Sequence, residues 1–130
     1  MNFEIKERNV KWKSGLKKVN INLSNETGFI HAEYSEKNKL VYIICENNNT
    51  GFTVLCYTVK GVTVGRNTFD YKFIKITPSY DGKIHILYLN ESKTYEGILA
   101  NGEIESFSPV LPYGYEEQEE TAETDISENT

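Results

Sequence analysis

Apolar and polar residues alternate with a period of two through most of this chain, and no stretch places its apolar residues every three to four positions. Successive side chains of a β-strand point to opposite faces, so the pattern permits half-buried strands and leaves no amphipathic helix to be expected. In 17–23, Val19, Ile21 and Leu23 share one face, while Lys18, Asn20 and Asn22 share the other. Residues 39–46 are almost unbroken in apolar character through Leu40, Val41, Tyr42, Ile43, Ile44 and Cys45, as in a strand covered on both faces. The same reading places strands at 3–6, 29–34, 51–59, 68–76, 83–89, 94–99 and 103–108. Turn chemistry separates them, with Asn47–Thr50, Asp81-Gly82 and Asn101-Gly102 the clearest cases. Residues 7–15 read as irregular, and 60–67 as a connection or a short additional strand.

The chain also repeats itself. Gly28-Phe29-Ile30-His31-Ala32-Glu33-Tyr34 and Gly82-Lys83-Ile84-His85-Ile86-Leu87-Tyr88 share Gly-x-Ile-His-x-x-Tyr at an offset of 54. Val19-x-Ile21 parallels Ile74-x-Ile76 upstream. The expectation is two units of four antiparallel strands, about 18–59 and 70–108, within an all-β domain spanning 1–112.

A four-stranded meander whose second strand follows an Asp-Gly turn resembles one blade of a β-propeller, and Asp81 to Tyr88 is similar to the second blade strand of sialidase-like repeats. The Trp-Asp and Gly-His signatures of the WD family and the Asp-box of sialidases are missing, so no catalytic or sugar-binding residue carries over. Two blades do not close a ring, which takes typically four to eight. The expected fold is therefore an antiparallel meander of about eight strands forming a closed barrel or sandwich. The alternative is two propeller blades per chain that assemble into a ring.

Charge divides the chain sharply. From Glu116 to Glu128 there are seven acidic residues and no Lys or Arg. The first 18 residues hold Lys6, Arg8, Lys11, Lys13, Lys17 and Lys18 against Glu4 and Glu7. Residues 113–130 have too little apolar surface to offset the entropy of ordering, and a disordered acidic tail is expected there. That tail is either a solubilising segment or one that competes for the chain's own basic surface or docks on a basic partner.

Few residues suggest chemistry. His31 and His85 occupy equivalent repeat positions but lack converging ligands, so no metal is expected. If Glu46 pairs with Gly51, Cys45 and Cys56 lie on one face about 13 Å apart. A disulfide needs Cα atoms within about 7 Å, so two free, buried thiols in a reducing compartment are predicted. Gly61 to Arg66 lacks the Gly-Lys-Ser/Thr ending of a phosphate loop. No catalytic residue and no cofactor are expected. The one basic and aromatic constellation is Lys11, Trp12, Lys13, Lys17 and Lys18, where cations and an aromatic face could meet single-stranded nucleic acid.

A small β-body with an acidic tail resembles, in plan only, the phage and bacterial single-stranded-DNA-binding proteins. The primary expectation is a non-enzymatic binding protein whose partner is another protein, a phage-encoded virion component or an inhibitor of a host protein among the forms this could take. Tyr-rich strands and exposed meander edges support it. The alternative is a single-stranded nucleic-acid-binding protein with a regulatory acidic tail. Self-association into a homo-oligomer is a further expectation. No apolar stretch reaches the roughly 18–20 residues of a membrane span, and Met1 to Arg8 is charged where a signal peptide needs an apolar run. A cytoplasmic location is expected, in the host cytoplasm or in the virion if the protein is phage-encoded.

Overall fold

The computed structural model describes residues 1–47, 51–78, 81–100 and 103–109. The expected tail at 113–130 lies outside these residues, as do most of the 47–50 and 101–102 loops. Among the described residues the chain is all-β. Eleven strands form three antiparallel sheets, each a simple up-and-down meander. The first sheet contains β1 (Glu4–Lys6), β2 (Asn9–Ser14) and β3 (Lys17–Asn22). The second contains β4 (Phe29–Ser35), β5 (Leu40–Asn47), β6 (Gly51–Thr58) and β7 (Thr63–Phe69). The third contains β8 (Lys72–Pro78), β9 (Ile84–Asn90), β10 (Lys93–Ala100) and β11 (Glu103–Pro109).

The sheets stack face to face with the second in the middle. Its alternation supplies two cores from the same strands. Tyr42, Ile44, Phe52, Val54 and Cys56 face the third sheet, against Phe73, Ile84, Ile86, Tyr88 and Leu99. Val41, Ile43, Cys45, Leu55 and Tyr57 face the first sheet, against Val10, Trp12, Val19 and Leu23. This is why 40–45 carries an apolar residue at every position. The aromatic rings of Phe69, Tyr71, Tyr88 and Tyr95 stack in a row at the margin of the core between the second and third sheets, with neighbouring planes within 24°.

Specific contacts lock the layers. Gly28 (φ +91) lies so close to β5 that a Cβ there would sit 1.8 Å from the Glu46 carbonyl oxygen. The buried Ser35 hydroxyl donates to the Gly82 carbonyl at 3.0 Å and accepts the Asn38 N–H, which fastens the β4–β5 turn to the third sheet. Two hairpins turn through two non-glycine residues with positive φ: Glu7-Arg8 between β1 and β2, and Glu91-Ser92 between β9 and β10.

Five sequence expectations are corrected. The two four-stranded sheets do face each other as a sandwich, but no closed barrel forms, and a third sheet covers the second one's other face. That extra sheet exists because 9–14, expected to be irregular, is strand β2. The expected strand at 68–76 is divided: a turn at 70–71 separates β7 from β8, and 60–67, read as a connection or a short additional strand, supplies most of β7 as a strand. The repeat units 18–59 and 70–108 are out of phase with the sheets, because His31 lies on the first strand of its sheet and His85 on the second of its own. Finally, the pairing of β5 with β6 is Asn47↔Gly51 and Glu46↔Phe52, one residue away from the expected register. A one-residue slip flips side chains across a sheet. Cys45 and Cys56 therefore lie in different cores, both free and buried as expected.

The outermost faces of the stack differ. On the third sheet, Leu87, Leu89 and Ile98 are half-buried and point away from the core, interspersed with His85, Glu96, Lys72 and Lys75. The outer face of the first sheet carries no apolar side chain in its three strands.

Candidate functional site

Alternation in the first sheet separates two kinds of residue. Val10, Trp12 and Val19 are buried against the second sheet. Lys11 and Lys13, their neighbours on β2, must then point outward. Lys13 pairs directly with Lys18 on β3, Lys11 lies between Glu4 and Asn20, and Lys6 lies beside Asn9, which pairs with Asn22. Lys6, Lys11, Lys13 and Lys18 thus share one exposed face with Glu4 as its only acid. Four lysines against one glutamate leave a local charge of +3. Directly opposed like charges, with Cβ atoms about 4.5–5.5 Å apart, weaken a strand pair. The Lys13–Lys18 pair is therefore an unfavourable one for the β2–β3 pairing.

An open groove of about 920 Å³ adjoins this face. It forms because β1 is short: β1 pairs with β2 only as far as Lys11, which leaves the edge of β2 uncovered beyond it. The groove is lined by residues 1–4 at the start of the chain and by Lys11, Trp12, Lys13, Lys18, Val19 and Asn20 from β2 and β3. Phe3 meets the Trp12 ring edge-on at 5.7 Å.

The five residues singled out by sequence are divided by the fold. Lys11, Lys13 and Lys18 come together on the outer face. Lys17 pairs with Ser14 and belongs to the opposite face, although it too is exposed. Trp12 is 3% exposed, and its indole N–H donates to the Val59 carbonyl at 2.7 Å. It anchors the first sheet to the β6–β7 hairpin and does not present a ring face for stacking. Sequence reasoning omitted Lys6 and the Asn9–Asn20–Asn22 row. Their signal was the two-residue alternation of 9–14, which places Val10 and Trp12 on one side and Lys11 and Lys13 on the other.

The histidines form a separate arrangement. His31 Nε2 lies 3.1 Å from Glu46 Oε1 and its ring packs on Phe73. His85 Nδ1 lies 2.8 Å from Glu96 Oε2, and its Nε2 lies 3.2 Å from Asp81 Oδ2. The Asp81 carboxyl is held below its usual range, first by the Lys83 backbone N–H and then by His85. Among the described residues, no group of three or more His, Cys, Asp or Glu side chains is placed to hold a metal ion. Both thiols are pushed up to about 11, chiefly by burial; in Cys56 a hydrogen bond with Tyr42 partly opposes this. Such thiols are protonated at neutral pH and poor nucleophiles. Among the described residues, no helix is long and apolar enough to cross a membrane.

Comparison with protein-family models, curated proteins and solved structures finds no match to this chain.

Proposed function

We propose that this chain is a non-enzymatic binding module whose contact surface is the basic outer face of the first sheet, and whose partner is a protein with an acidic surface. The observation that carries the reading is the Lys13–Lys18 pair, opposed across β2 and β3 and flanked by Lys11 on the same face. An anionic partner relieves that repulsion on binding. A polar, charged sheet face also suits a protein surface, since complementary potentials steer and orient association.

Single-stranded nucleic acid is the second reading, favoured by the same lysines, which could contact phosphates. It lacks the stacking platform on which such binding ordinarily draws, because Trp12 is buried and hydrogen-bonded.

Fluorescence anisotropy at low salt separates the two, using labelled polyglutamate and oligo-dT as probes. The protein-binding reading expects polyglutamate to bind, and the double variant Lys13→Glu with Lys18→Glu to lose it. Binding of oligo-dT in preference to polyglutamate would transfer the function to nucleic acid. Binding of either probe unaffected by the double variant would remove this face from the function.

A further inference from the structure

We propose that the basic face is occupied in the free protein by the chain's own acidic segment, residues 116–128, which an incoming partner must displace. This rests on the reading that the face takes acidic macromolecules, and it names the occupant present before one arrives.

Charge complementarity is the first argument. The segment carries seven carboxylates and no cation. The face offers Lys6, Lys11, Lys13 and Lys18, with Glu4 as the single acid. Among the described residues, the outer face of the third sheet by contrast mixes Lys72 and Lys75 with Glu96.

Reach is the second. The last described strand ends at Pro109, paired with Tyr95 in the third sheet. Sheets stack roughly 10 Å apart, so the first sheet's outer face lies on the order of 20–30 Å from the third. Glu116 lies seven positions beyond Pro109 and Asp125 sixteen. At about 3.3–3.6 Å per residue these spans reach roughly 25 Å and 55 Å. The distal acids, Glu123 to Glu128, can therefore cross the stack and reach the lysines, while Glu116 comes near them only at full extension.

Tethering is the third. Exposed ion pairs are individually weak. A linked segment, however, competes at an effective concentration in the millimolar range, and several weak pairs act together. The contact is consequently loose enough for a partner with a denser acidic surface to replace it. Because it is exposed, salt screens it within a Debye length of about 8–10 Å near physiological ionic strength.

The test is zero-length carbodiimide crosslinking of the full chain at low salt, followed by mass spectrometry of the monomer band. The expected result is isopeptide links from Glu116 to Glu128 onto Lys11, Lys13 and Lys18, lost at high salt. Links onto Lys72, Lys75 or Lys93 instead, links confined to a dimer band, or no links would overturn the proposal. A second measurement uses a full-length variant with all seven acids replaced by Gln or Asn, its fold checked against the wild type by far-UV circular dichroism. This variant should bind labelled polyglutamate about tenfold more tightly than the wild type at low salt. Equal affinity would overturn self-occupancy while leaving the binding reading intact. Crosslinks to the face without polyglutamate binding by either protein would sink the binding reading alone.

Discussion

At the scale of single residues, several positions show what the fold asks for and what it tolerates. Glu91 and Ser92 both adopt positive φ in the tight β9–β10 turn, a conformation that costs an ordinary L-residue roughly 1–2 kcal/mol. Asn-Gly suits that turn. The double substitution Glu91→Asn with Ser92→Gly should raise unfolding free energy by about 1 kcal/mol in urea titration. The equivalent change at Glu7-Arg8 should not help, because Arg8 donates to the Gly28 carbonyl at 2.9 Å and would leave that contact unmade. The thiols give a pH signature. Both are pushed from an ordinary 9.0 to about 11, so the unfolded chain loses these protons first as pH rises. Their contribution to stability is therefore complete below pH 9 and is lost between about 9 and 11. Denaturation midpoints should fall across that interval, and less steeply in a Cys45→Ala, Cys56→Ala variant. Trp12→Phe should lower the unfolding free energy in urea titration by about 1 kcal/mol through loss of the Val59 hydrogen bond.

At the scale of elements, β2 and β3 set stability and binding against each other. Lys18→Glu turns a repelling cross-strand pair into an attracting one and should add roughly 0.2–1 kcal/mol. The same substitution should abolish polyglutamate binding. A thermal melt and an anisotropy titration on one variant check both, and a loss of stability would contradict the cross-strand geometry. The strands that sequence showed best were those with a strong apolar face, such as 40–47 and 84–90. β7 was obscured because Thr63 to Phe69 is an outer strand with Val64 and Arg66 exposed, so no core pattern marks it. β2 was obscured by its short length and its lysines, although Val10 and Trp12 alternate correctly. Three lysines of the site were visible by composition. Their shared face was not, since it depends on the pairing of β2 with β3, and Trp12 was assigned a role that its inward orientation removes.

At the scale of the molecule, the three-layer stack has an interior element. Among the described residues only the second sheet is covered on both sides, so amides of β5 and β6 should exchange most slowly with deuterium and those of β1 fastest. Slowest exchange in the third sheet would contradict the layering. The all-β class could be read from alternation alone. The number of layers could not, because the internal repeat aligned strands of unlike rank and hid the first sheet inside an apparent loop. The stack also has polarity. One terminal surface is lined with lysines and asparagines, and the other is partly greasy through Leu87, Leu89 and Ile98. Tandem duplication of such a body could append a new layer only beside those aliphatic residues; at the opposite end it would entomb uncompensated ammonium groups, so lengthening would proceed from one side alone.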